Sequence, residues 1–177
     1  LSRLRADARP MPMSQLIGVL NEHWGEGWEQ HFTKFSFTPM AAASIGQVHS
    51  AHDQRGRRLA IKVQYPGVRH SISSDVDNVA SLLRISGLLP KSLDIQPLLD
   101  EAKCQLHAEA DYRVEAAHLT HFRALLADRP DFLLPEVQET LSNVNILAMS
   151  HVEGEPVEAL AKASQAERDR VIGLLFE

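Results

Sequence analysis

The sequence predicts an α+β fold, a small antiparallel sheet packed with one long helix and flanked by shorter ones. Three observations predict it. Between Phe32 and Val63 the chain carries β-branched and aromatic residues at alternating polarity. From about residue 70 to 127 the apolar residues recur at threes and fours, and two further short extended runs follow within 134–152.

Taken in order, Ser14 offers an N-cap to SQLIGVLNEHWG, where Leu16, Ile17, Val19 and Leu20 form a short apolar face that Gly25 and Gly27 end. The strand runs are FTKFSF, GQVHSAH and RRLAIKVQ, and Asp53-Gln54-Arg55-Gly56 is a tight turn joining the last two as a hairpin. Pro66-Gly67 closes this section. Behind Ser71 or Ser73, Ile72, Val76, Val79, Leu82, Leu83 and Ile85 share a stripe, and Pro90 stops that helix. The longest helical pattern runs over 95–127, with Pro97 suited to its first turn. LLPEVQET and VNILAMSHV are then two candidate strands before Gly154 and Pro156. The division expected is a helical extension over 1–30, a lobe over 31–153 and the start of a further helix over 154–177. Within the lobe, strands lie in 33–65 and 134–152, an inserted helix at 70–89 and the long helix at 95–127.

The 177 residues are 44% hydrophobic and 23% charged with a formal net charge of −5, which fits a globular protein. The negative balance and the lack of a basic run argue against nucleic acid as a partner, since that binding needs Lys and Arg to neutralise phosphates. The single cysteine, Cys104, cannot close an intrachain disulfide, so a reducing compartment is the simpler expectation. No window reaches the roughly 18 apolar residues of a spanning helix, and no secretory signal opens the chain. A start at Leu1 and a helical pattern still running in ERDRVIGLLFE are what an excerpt of a longer protein would show.

The chemistry concentrates in AAASIGQVHSAHDQRGRRLAIKVQY, residues 41–65. The order of strands, long helix and further strands is that of a kinase-like N-terminal lobe, where the turn between the first strands covers nucleotide phosphates and a lysine on the third strand pairs with them. Lys62, in Leu59-Ala60-Ile61-Lys62, sits on that strand. Alternation puts Ala60 on the same face, where a small side chain leaves room for a flat adenine. Read alone, Lys62 would be an exposed strand lysine; the hairpin around it reverses that.

Alanines stand where ordinary kinases place phosphate-loop glycines. AAASIGQV followed by AIKVQYPGV resembles the UbiB atypical kinase-like family, whose eukaryotic members include the coenzyme Q biosynthesis kinases of mitochondria. Ser74-Asp75-Val76, Glu109-Ala110-Asp111-Tyr112, Glu115-Ala116-Ala117 and Leu134-Pro135-Glu136-Val137 extend the resemblance over nearly the whole chain. It implies ATP binding by Ala41, Ala42, Ala43, Ser44, Ile45, Gly46, Gln47, Val48, Ala60 and Lys62, with Glu115 the ion-pair partner that holds Lys62. Met149-Ser150-His151-Val152 falls where a hinge would offer backbone groups to adenine. Glu109 and Asp111 match the family's regulatory E-x-D motif, whose Lys-x-Gly-Gln partner does not occur in this chain. On one continuous helix Asp111 and Glu115 would share a face and Glu109 would point elsewhere, so the three carboxylates are not expected to cluster.

Magnesium is expected with ATP, but its ligands and the catalytic aspartate belong to a C-terminal lobe beyond Glu177; Asp131-Phe132-Leu133 is no substitute, because it precedes the hinge and lacks the glycine. No metal ligand set is expected here, since the histidines show no ligand spacing. The resemblance therefore implies an ATP-dependent parent enzyme, a kinase or ATPase supporting ubiquinone biosynthesis with membrane-associated proteins or lipids as partners, and a chain inactive by itself. The setting is either the cytoplasmic side of a bacterial inner membrane or the mitochondrial matrix. The alternatives are a pseudokinase scaffold, decided by whether catalytic residues follow the hinge, and a small-molecule phosphotransferase, which would carry a more ordinary loop in place of AAASIGQ and which substrate profiling would separate.

Overall fold

A computed structural model describes residues 10–87 and 93–176, with side chains as far as Leu174. The expectations for residues 1–9 and for Pro90 lie outside the described residues. The element order is helix α1 (Met13–Trp24), strands β1 (Phe32–Phe35), β2 (Ala41–Ala43), β3 (Gly46–Asp53) and β4 (Arg58–Gln64), helices α2 (Val68–Ile85), α3 (Gln96–Glu109) and α4 (Tyr112–Leu125), strand β5 (Ile146–Ser150) and helix α5 (Gln165–Phe176). It is the kinase-like N-lobe fold, a small antiparallel sheet with helices.

The hairpin β3–β4 is the centre of the sheet. Asp53 holds its turn by accepting from the Arg55 and Arg57 amides at 2.9 and 2.8 Å, while Gly56 takes the positive φ of 75° that the turn needs. β5 pairs with the free side of β4, and β1 and β2 pair with successive halves of the other edge of β3. Leu59, Ile61 and Val63 alternate onto the core face of β4 and are buried, whereas Ala60 and Lys62 point to the opposite face. Leu16, Val19 and Leu20 of α1 join that core. Trp24, Trp28, Phe32 and Phe35 complete it, with ring centroids 5.0 to 6.2 Å apart.

Several sequence expectations are corrected. α1 starts from Pro12, whose carbonyl accepts from Gln15 and Leu16, and Ser14 is not its cap. The inserted helix spans Val68–Ile85 and begins at Gly67 (φ 83°) rather than at a serine. The first of the late strands, LLPEVQET, reduces to a single bridge, Val137 with Met149, followed by a 3-10 turn at Glu139–Leu141, while the second forms β5. Pro135, which has no N–H to give, precedes that bridge.

The largest correction is to the long helix over 95–127, which is two helices. Ala110 ends α3, and its carbonyl accepts from the buried Gln64 side chain at 2.9 Å. Asp111 then turns extended (φ −109°, ψ 98°) and caps α4 by accepting from the Arg113 amide. The Tyr112 N–H donates to Val144 O at 3.1 Å, outside either helix. The Ala110 carbonyl, the Tyr112 N–H and the Arg113 N–H, all left over by the broken turn, thus find partners in Gln64, Val144 and the Asp111 cap.

Candidate functional site

The registers set out the floor of the site. Ala41, Val48, Lys62 and Leu147 stand opposite one another across four strands, and Ser50, Ala60 and Met149 form the neighbouring row. Directly opposed residues share a sheet face, so Val48, Ala60, Lys62 and Met149 line the face turned away from the core.

α4 supplies the wall opposite Lys62. Lys62 Nζ donates to both carboxylate oxygens of Glu115, at 2.9 and 2.6 Å, with the lysine side chain only 17% exposed. The same ammonium lies 4.7 Å from the ring centroid of Tyr112, a residue 1% exposed. Burial, then the negative charge of Glu115, pushes the Tyr112 phenol well above its ordinary range, and its hydroxyl meets no hydrogen-bond partner among the described residues.

An open cleft of about 450 Å³ runs from this pair to the β2–β3 turn, lined among others by Ser44, Ile45, Lys62, Glu109, Asp111 and Glu115. All three carboxylates line the one cleft, so Glu109 does not point away from it as a continuous helix would have it, because the break at Ala110–Asp111 resets the helical phase; among the described residues they still form no three-acid cluster that could hold a metal ion. They are not equivalent. Asp111 accepts from Arg113 Nε and Nη2 at 3.0 and 2.6 Å, with Arg69 Nη1 3.9 Å away. The Arg113 guanidinium, with Arg69 behind it, holds its carboxyl below the usual carboxylate range. Asp111 is thus a paired helix cap, while Glu109 is exposed on the last turn of α3.

The alanines are not the loop itself. Ala41–Ala43 pair with Val48, Gln47 and Gly46 as strand β2, so the loop contracts to Ser44 and Ile45. Gly46 is required there: a Cβ would lie 2.2 Å from the backbone oxygen of Val63. The Tyr65 N–H donates to Ile45 O at 2.9 Å and ties the hairpin tip to the end of β4.

Under this hairpin runs a buried polar chain. The Met11 amide donates to Gln47 Oε1 at 2.8 Å, Gln47 Nε2 meets His49 Nε2 at 2.8 Å, and His49 Nδ1 meets the Ser36 carbonyl at 2.8 Å. A carbonyl can only accept, so His49 carries its proton on Nδ1 and takes the Gln47 amide on Nε2. Burial lowers the His49 pKa, in keeping with that neutral form. Gln47 is therefore a support beneath the hairpin, with its side chain on the core side of β3.

Ser44, Ile45, Lys62, Glu109, Asp111 and Glu115 are brought together at the cleft; Ala60 and Met149–Val152 are not among its lining residues and lie farther along the sheet. At that end the Ser150 and His151 amides are already engaged, with Glu136 O at 2.8 Å and Arg58 O at 3.0 Å. Tyr112, Gln64, Asn145 and Arg113 were missed by sequence reasoning. Only the aspartate before Tyr112, a favoured N-cap residue, signals the break locally. Among the described residues, no group of three or more His, Cys, Asp or Glu could hold a metal ion.

Comparison with known proteins identifies the family. A model of the ABC1 atypical kinase-like domain matches residues 3–177. The mitochondrial atypical kinase COQ8 of Saccharomyces cerevisiae is 43% identical over 169 residues, which is 96% of this chain and 34% of that protein. The mitochondrial atypical kinase coq-8 of Caenorhabditis elegans is 39% identical over 175 residues, 99% of this chain and 23% of that protein. A solved structure of Rv3197 from Mycobacterium tuberculosis with erythromycin superposes with a TM-score of 0.77 at 33% identity, over 98% of this chain and 43% of that one. The chain thus spans between 23% and 34% of the length of these curated relatives.

Proposed function

The chain belongs to the ABC1 atypical kinase-like family, and we propose that it is the ATP-binding lobe of an atypical kinase or ATPase that supports ubiquinone biosynthesis. The observation that carries this reading is the Lys62–Glu115 ion pair, at 2.6 and 2.9 Å, in an open cleft that the two-residue turn Ser44–Ile45 also lines. A polyphosphate suits that donor set. Lys62 is a charged donor held in one place, and a short turn flanked by alanines lets backbone amides come close to an anion. Val48, Ala60 and Met149 give the purine a thin apolar floor. With the Ser150 and His151 amides engaged, adenine contacts from this segment fall to its carbonyls and to Val152.

Magnesium does not fit the residues here, because Asp111 is committed to Arg113 and no other ligand group is assembled among the described residues. The metal ligands and the residue that orients the acceptor are therefore assigned to a part of the parent protein outside this chain, which alone would not turn over nucleotide. The curated relatives cited above are mitochondrial by name. A matrix-side location beside membrane-bound quinone-synthesising proteins is the corresponding proposal for a eukaryotic parent, and the cytoplasmic face of the inner membrane for a bacterial one. No helix among the described residues is long and apolar enough to cross a membrane.

The test is nucleotide titration of the parent protein with and without Lys62→Ala. Loss of the charged contact weakens binding by about 10- to 100-fold. Unchanged binding in the variant, or no binding by the parent, removes the reading.

A further inference from the structure

We propose that Tyr112 is a positioning residue for Lys62, acting through its aromatic face, and that Asp111, Tyr112 and Glu115 form one device built by the helix break. The proposal rests on the nucleotide-binding reading and specifies how that site is held ready.

Three observations converge. The ring is buried and its backbone is tied: Tyr112 is 1% exposed, and its N–H is bonded to Val144 O at 3.1 Å while Asp111 caps the turn it begins. Lys62 Nζ sits 4.7 Å from the ring centroid and 2.6 Å from Glu115 Oε2, so one ammonium is shared between an aromatic face and a carboxylate one turn along the same helix. The buried hydroxyl makes no hydrogen bond among the described residues, so the contact of the residue with Lys62 is made by its ring.

The carboxylate alone leaves Lys62 poorly defined. Glu115 is 46% exposed, and a flexible side chain in water does not fix a lysine. A buried ring cannot move, and it attracts the cation without neutralising it. The lysine is therefore held at one height above the sheet while its charge stays available to an incoming phosphate. An unbroken helix would not give Tyr112 an amide free for Val144; the break makes that tie and sets ring and carboxylate about Lys62 together.

The experiment replaces Tyr112 in the parent protein with phenylalanine and with mono-, di- and trifluorinated phenylalanines. This series drains the ring's negative face at nearly constant volume. Tyr112→Phe serves as the reference, since it keeps the ring and removes only the unbonded hydroxyl. Affinity for ATP is expected to fall stepwise with fluorination, by about fivefold at the trifluoro ring; equal affinity across the series overturns the proposal. A thermal-unfolding cycle with Lys62→Met needs no nucleotide: fluorination is expected to lower the melting temperature only where Lys62 is present. Equal lowering in both backgrounds overturns the proposal even if the nucleotide reading stands. If the parent binds no ATP, that reading fails, and the unfolding cycle alone decides the role of the ring.

Discussion

Gln47 on β3 and Gln64 on β4 are each 1% exposed, and each reaches off the sheet to hold one wall of the cleft. Gln64 secures the helical wall, donating to Ala110 O and accepting from Asn145 Nδ2 at 2.7 Å. Gln47 secures the hairpin wall through Met11 and His49. A buried amide is costly unless both of its ends are bonded, so each glutamine fixes what it touches. The walls differ in what completes them. The helical wall rests on amide groups and a permanently charged arginine, while the hairpin wall rests on an imidazole that must stay neutral and on a backbone approach only glycine allows.

The largest effect is expected where the hairpin wall meets β4. Gly46→Ala forces a Cβ against a backbone oxygen that cannot step aside, costing about 3 kcal/mol in denaturant unfolding. The helical wall comes next: Gln64→Leu orphans the Ala110 carbonyl and the Asn145 amide, for about 2 kcal/mol. Hydrogen exchange should then show the start of α4 opening while β2 and β3 stay protected; equal opening of both walls would break the comparison. A smaller loss, about 1 kcal/mol, follows Asp111→Ala, whereas Asp111→Asn keeps the cap and should recover most of it.

The smallest effect sharpens the difference between the walls. Because the folded pKa of His49 is lowered, the unfolded chain takes up a proton there first as pH falls. The stability it contributes is complete above its ordinary value of 6.5 and is lost on acidification below it. Unfolding measured between about pH 7.5 and about pH 5 should have a shallower slope in His49→Asn than in the natural sequence. Gln64→Leu should leave that slope unchanged.

What the sequence disclosed follows the same division. The hairpin around Asp53-Gln54-Arg55-Gly56, the face shared by Ala60 and Lys62, and the α+β class rest on periodicity and turn chemistry, which are local. The meeting of Lys62 with Glu115 was anticipated only through the family resemblance. The break at Ala110 had one local signal, the N-cap residue Asp111, and was passed over because the apolar spacing runs straight through it and its partners, Gln64 and Val144, are far away in sequence. The alanine strand was misread as loop for a related reason: alanine has little strand preference, and only pairing with β3 makes it extended. Glu109 was set apart from Asp111 and Glu115 on paper because a helix phase was carried across a discontinuity.

The most direct test of the clamp follows the Lys62 ammonium by nitrogen-detected NMR as ATP is added to the parent protein. The account predicts one slowly exchanging Lys62 signal before nucleotide, held by Glu115 and the Tyr112 ring, that shifts in step with binding. Saturable binding that leaves the Lys62 signal where it was would contradict it.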